Sequence, residues 1–266
     1  MRMAQRRVFW GGKEIVKMNE RAVSEAIGFI IILGIVMSGI GLVTLYGYPV
    51  LVKEQSNTDV RNMERAMIVI QNDMKSLCFK NVPYKETTIQ VSGGTLEVIG
   101  GDDYGVTFTI SNSNSNTLWD FSPGALVYRS DRSTEVITLE NGAVITRQED
   151  AAGSAMLAEP RWFYDEATGT FAIYIMNITT DEAMARSGVA TVRMSLEKVV
   201  TYVNVSASPG EEITVEYESD PGNDNSVAWG NYLTGNLDME RSGDRYTLGG
   251  VTRLVIKDYR IRIHGI

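Results

Sequence analysis

The sequence predicts an α+β protein, with a long N-terminal helix followed by an antiparallel β-sandwich-like domain. The helix reads as transmembrane in its first part and amphipathic in its second. Three observations carry this. From Ala26 to Val52 there are 27 consecutive residues without a charge. Immediately downstream, Val60, Met63, Met67, Ile70, Met74 and Leu77 recur at spacings of 3, 4, 3, 4 and 3, the signature of one apolar helix face. From Pro83 onward the texture changes to short alternating runs separated by Gly, Asn and Asp clusters, which is the pattern of strands and turns.

The elements divide the chain into a basic leader (residues 1–22), an apolar helix (23–52), an amphipathic stem helix (53–82) and a β-rich domain (83–266). The leader carries six Arg/Lys against two Glu, a net charge of +4. The remaining 244 residues carry 19 basic and 31 acidic side chains, a net charge of −12. An acidic exterior of that size repels phosphate backbones and argues against a nucleic-acid partner.

A spanning helix needs about 20 apolar residues, and a 27-residue run extends roughly 40 Å at about 1.5 Å per residue. Ile27, Phe29 to Leu33 and Ile35 to Met37 leave no polar face, so the helix is destined for lipid or for a core. The membrane is therefore its first expected partner. A cleaved secretory signal has an apolar region of about 7–15 residues and a small-x-small site after it. This run is longer, and "YGYPVLVKEQ" offers no such site. Two readings stay open: a plain transmembrane anchor, and a signal cut before the apolar helix, which is retained. In either case the positive leader stays in the cytoplasm and the domain after Lys53 lies outside. Gly28, Gly34, Gly39, Gly41 and Gly47 punctuate the segment and would let like helices approach closely. Pro49 is expected to kink the helix.

"RAVSEAIGF", Arg21 to Phe29, resembles the N-terminus of archaeal type IV pilins and archaellins, which carry a class III signal peptide. The resemblance implies prepilin-type cleavage between Ala22 and Val23, with Val23 as the new N-terminus. It places Glu25 at the start of the mature helix, where a carboxylate is favourable and can meet a neighbour's amino group during assembly. Many archaeal pilins carry Pro where Glu25 stands. The implied partners are a prepilin peptidase, an assembly platform, and like subunits or other pilins. The run from "ALVYRSDRSTEVITLENGAVITRQED" through "SAMLAEPRWFYDEATGTFAIYIMNIT" resembles a family of poorly characterised archaeal pilin-like exported proteins over roughly Asn19 to Ser208. That likeness implies an outer β-domain on a pilin helix and no chemistry.

In the stem, about two and a half heptads of stripe are short of what a sustained coiled coil needs, so the face is expected to lie on the chain's own domain. Val82 before Pro83 ends the helix. In the β-part, "ETTIQV", "ALVYRS", "EVITLE", "AVITR", "RWFYD" and "RLVIKDYRIRIHGI" are among the expected strands. "DEATGT" reads as a tight loop between strands ending at Tyr164 and starting near Thr170. "SAMLAEP" and "DEAMARSG" are expected to be short helical turns. At about 180 residues the domain can bury its own core.

A search for catalytic chemistry in the sequence finds little. There is no phosphate-binding loop and no Gly-x-Ser-x-Gly elbow. The lone Cys78 and lone His264 read as a small helix-face residue and a surface tail residue rather than a nucleophilic pair or a zinc site. No catalytic residue, metal ligand or cofactor is assigned. The acidic runs Asp102-Asp103, Glu211-Glu212 and Glu218–Asn225 read as solvated turns rather than calcium loops. Trp229 and Tyr232 in "SVAWGNYL" either stack on sugars or anchor a loop onto the core. Asn177-Ile-Thr179 and Asn204-Val-Ser206 are N-glycosylation sequons. The functional expectation is a pilin-like cell-surface protein. A static anchor for a binding domain and, further off, a tethered hydrolase are the alternatives.

Overall fold

The computed structural model describes residues 14–80, 82–149, 151, 153–205 and 210–266. The chain divides into two compact units, Met1–Gln55 and Ser56–Ile266. Helix α1 (Glu14–Leu42) is followed by one π-helical turn (Val43–Gly47) and by α2 (Tyr48–Phe79). The π-turn sits where the sequence puts strain. Pro49 lacks an N–H and its ring displaces the carbonyl four residues back. A wide turn, closed by the Tyr48 N–H on the Val43 carbonyl, absorbs that displacement just before the proline.

From Ser56 onward α2 belongs to the second unit. All six stripe residues, Val60, Met63, Met67, Ile70, Met74 and Leu77, are buried there against the β-domain. The stripe therefore serves the chain's own fold, as its length predicts. Polar groups fix the helix in place. The Gln71 amide donates to the Gly142 carbonyl at 2.6 Å. Asp73 accepts from the Thr87 hydroxyl at 2.6 Å and pairs with Lys85 at 3.0 Å.

The strands form two sheets. The larger begins at one edge with β7 (Ser154–Ala158), β6 (Ala143–Gln148), β5 (Glu135–Glu140) and β4 (Ala125–Ser130). It continues through β1 (Tyr84–Ile99) and β10 (Met184–Val205) to β14 (Arg253–Gly265), β9 (Thr170–Thr179) and β8 (Arg161–Asp165). The smaller runs β12 (Glu240–Ser242), β13 (Arg245–Val251), β11 (Glu211–Ser219), β2 (Val106–Asn112), β3 (Thr117–Phe121). A short helix α3 (Gly101–Tyr104) precedes β2, and α4 (Ser226–Gly235) follows β11.

Along β4, β5, β6 and β9 the larger sheet is buried on both faces. One face packs on α2 through Leu96, Leu126, Ile137 and Ile261. The other packs on the smaller sheet and α4 through Val127, Val136, Ile173 and Ile256. Two-sided burial explains why "EVITLE" is apolar at consecutive positions rather than alternating. Gly93, at φ +63°, lets the helix come close: a Cβ there would stand 2.6 Å from the Asp59 carboxylate.

The antiparallel expectation holds for nearly every pair, but β14 and β9 run parallel, with Leu254 opposite Phe171. The two strands are separated in sequence by β10 to β13, which gives the chain length to return in the same direction. "DEATGT" is the loop between β8 and β9, as expected. Two expectations are corrected. "SAMLAEP" contains strand β7, paired with β6 through Thr146 and Ala155, and "DEAMARSG" opens strand β10, with Met184 opposite Val98. Ala, Met and Glu favour helix locally, but an available sheet edge overrides that preference.

The stripe on α2 gives a direct test. Met67→Ala, at a fully buried position, is expected to cost about 2–5 kcal/mol of unfolding free energy, read by denaturant titration in detergent. A loss well below that range would mean that the helix does not rest on the sheet.

Candidate functional site

The first candidate is the apolar helix. Val23–Phe79 contains a window apolar enough to cross a membrane, with none of that window buried within the chain. Phe29, Ile30, Ile32, Ile35 and Met37 are each more than 60% exposed. A Cβ added at Gly28, Gly34, Gly39 or Gly41 would meet nothing within 4 Å. Among the described residues, nothing fills the glycine notches.

Val23 and Glu25 are both exposed. They lie inside α1, as does the backbone of Ala22; nothing is described of the Ala22 side chain. In the uncut chain Glu25 lies within α1, which runs from Glu14; the helix-start position implied by the resemblance belongs to a chain cut between Ala22 and Val23. "EIVKMNERAVSEA" holds no Pro or Gly to break the helix before Gly28. Glu25 gains a helix-terminal position only if the chain is cut nearby.

The second feature was not legible in the sequence. Glu140, the last residue of β5, is fully buried, as are Tyr104 and Trp229. Its carboxylate accepts from the Tyr104 hydroxyl and the Trp229 indole, both at 2.5 Å, and from the Tyr217 hydroxyl at 3.4 Å. Asn225 completes the cluster: its amide donates to the Tyr104 hydroxyl at 3.4 Å and its backbone N–H to the Tyr217 hydroxyl at 3.3 Å. Arg147 donates to the Gly222 carbonyl beside them. One carboxylate thus ties β5 to α3, β11 and α4, joining both sheets and the helix between. Burial pushes the Glu140 carboxyl up, and the hydrogen bonds from Tyr104, Trp229, Asn225 and Tyr217 oppose it. Burial likewise raises the Tyr104 and Tyr217 hydroxyls, with the Glu140 charge adding to it. With every member buried, this is a structural tie with no opening for a substrate.

The remaining candidates resolve individually. Trp229 and Tyr232 are buried on α4, and the Tyr232 hydroxyl donates to the Trp162 carbonyl at 3.0 Å. They anchor the core and do not offer a sugar platform. Cys78 is buried and its thiol is pushed up to about 12 by burial. His264 hydrogen-bonds Ser195 at 2.8 Å on the exposed side. Among the described residues, no group of three or more His, Cys, Asp or Glu is placed to hold a metal ion. Asp224 accepts instead from the Ser226 N–H at 2.8 Å, a local turn contact.

Asn177 is half-buried on β9, opposite Arg260, and lines a surface depression with Asp102, Asp103, Asp181 and Glu182. Asn204 is half-buried on β10, opposite Leu254. The third residue of its sequon, Ser206, lies outside the described residues.

Residues 21–263 match the model of a family of unknown function, DUF7289, and the chain belongs to that family. An uncharacterised protein of Archaeoglobus fulgidus is 24% identical over 267 residues, a span covering 84% of this chain and 85% of that protein. No solved structure matches the fold. The family match starts within the α1 helix and runs through β14, so helix and β-domain form one inherited unit.

The buried carboxylate predicts a pH dependence. A carboxyl whose folded value lies above its unfolded value stabilises the fold fully below the ordinary carboxylate range, and that contribution is lost as pH rises through the folded value. Glu140→Gln is therefore expected to flatten the fall in stability as pH rises above about 4.5, measured by denaturant midpoints across pH. Asp258, also raised by burial, supplies the slope that remains. An unchanged slope in Glu140→Gln would mean that the carboxyl is not displaced upward.

Proposed function

We propose that this protein is a pilin-like cell-surface protein: a major, minor or priming subunit of an archaeal type IV pilus-like filament, assembled through its N-terminal helix. The observation that carries the reading is the contrast along one helical stretch. Downstream of Ser56 the apolar stripe is consumed by the chain's own sheet. Upstream, an apolar surface on all sides and unfilled glycine notches find no partner among the described residues. At about 25 cal/mol per Å² of apolar area, such a helix does not stay in water. It belongs in lipid before assembly and among like helices after it.

In this reading a prepilin peptidase cuts between Ala22 and Val23, and Glu25 then stands within the first turn of the new helix. Its charge favours the helix's positive end and attracts the amino group of an adjacent subunit. The assembly platform lifts the helix from the membrane into the filament, and the β-domain faces outward, where Asn177 and Asn204 are candidate glycan sites. The family-wide span from Arg21, one residue before the cut site, supports a mature chain that keeps the helix. A second reading rests on the unbroken course of α1 from Glu14: a static, uncut membrane anchor presenting the β-domain.

The N-terminus of protein isolated from its native membrane, mapped by peptide mass, separates the two. A start at Val23 is the expected result. A start at Met1 or Arg2 would contradict the filament reading and leave the plain anchor. Glu25→Ala is expected to reduce recovery in surface filaments strongly while leaving membrane-bound protein at its usual level.

A further inference from the structure

Strand β10 outruns its neighbour on one side. Its partner β1 starts at Tyr84, opposite Ser195, and among the described residues no strand pairs with that edge of β10 beyond Ser195. On its other side β10 stays paired with β14 to Val205. After the irregularity between Leu196 and Lys198 the register is unbroken, from Lys198 opposite Arg260 to Val205 opposite Arg253. The result is a regular edge eight residues long, unpaired among the described residues, with the sequence "KVVTYVNV". It is β-branched and aromatic, has one charge and no proline. Natural sheets usually blunt such an edge; this one has Lys198 at its start and nothing further along. Val199 and Val203 are 46% and 45% exposed and lie on the same face of the sheet, four residues apart.

The edge is self-complementary about Thr201. If two copies pair antiparallel with Thr201 opposite Thr201, Val199 of one copy meets Val203 of the other, twice, on one face. Val200 meets Tyr202 on the opposite face, and Lys198 meets Asn204. No two like charges oppose each other, and the apolar pairs are of the kind that stabilise cross-strand contacts. A one-residue shift would bring Val199 opposite Tyr202 and lose the Val–Val pairs. Unpaired edges are also recognised by strand addition in general.

We propose that this edge is an interface for a second copy of the chain, formed by antiparallel addition of β10 to β10 about a two-fold axis through Thr201. The contact is isologous and small, hence weak and dependent on many copies acting together. Its geometry fixes its context. Within the second unit, α2 and β10 run in the same direction: Asp73 lies by Lys85 and Thr87, Asp59 by Gly93, and β1 is antiparallel to β10. Antiparallel pairing therefore makes the chain enter the two domains from opposite ends. The inference does not depend on leader cleavage or on filament assembly.

Disulfide trapping in the full chain in detergent tests it, since Cys78, the one native cysteine, is buried. Thr201→Cys places two thiols directly opposite, within the Cα separation a disulfide accepts. Under mild oxidation it is expected to give several-fold more covalent dimer than Glu166→Cys, a control at an exposed loop residue. Val199→Cys and Val203→Cys are each expected to stay monomeric alone, since like positions would be roughly 13 Å apart at about 3.3 Å per residue, and to cross-link when mixed. Circular dichroism checks that each variant is folded. Dimer yield from Thr201→Cys no greater than from Glu166→Cys would overturn the proposal, as would equal self-cross-linking at 199, 201 and 203. Those results leave the N-terminal mapping, and with it the filament reading, unaffected.

Discussion

The rest of the structure depends on where the apolar surface of the N-terminal helical stretch is buried. In α2, from Val60 to Leu77, apolar residues fall on one face and the sheet covers them. Between Ala26 and Val52 they fall on every face, and no sheet can cover a helix from all sides. That difference divides the chain more sharply than any loop. One portion completes a folded domain. The other requires an environment that the chain does not supply.

The β-domain is built to make the first burial secure. Its larger sheet is a middle layer, filled by α2 on one side and by the smaller sheet and α4 on the other. Such a layer has little tolerance for polar groups, yet Glu140 sits within it. The carboxyl group is held because the Tyr104, Tyr217 and Trp229 side chains, from three different elements, donate to it. Removing a donor would leave a buried polar group short of a partner, which is costly. A cluster of this kind fixes the mutual placement of β5, α3, β11 and α4.

Much of this architecture was legible from the residues. The 27-residue uncharged run and the 3–4 stripe both reported periodicity, which is a local property, and both elements lie where the pattern puts them. Strands β4, β5, β6, β8 and β14 were legible for the same reason. What was not legible depended on distant partners. "SAMLAEP" carries helix-forming residues and becomes a strand because β6 offers an edge. The parallel contact of β14 with β9 follows from the route of the intervening chain. Glu140 looks like any solvent-facing residue before an Asn-Gly turn; only Tyr104, Tyr217, Asn225 and Trp229, scattered over 126 positions, make it a buried tie. The place of Glu25 is of another kind: the resemblance concerns a mature terminus, and the full chain continues its helix upstream.

The central claim is that Ser56–Ile266 is self-sufficient and that the preceding helix is not. The most direct measurement compares the full chain with a chain beginning at Ser56, by membrane partitioning and by cooperative unfolding without detergent. The account predicts that the shorter chain is soluble, folded and cooperative, while the full chain partitions into the membrane. A shorter chain that is unfolded or aggregated, or a full chain that remains in aqueous solution as a monomer, would contradict it.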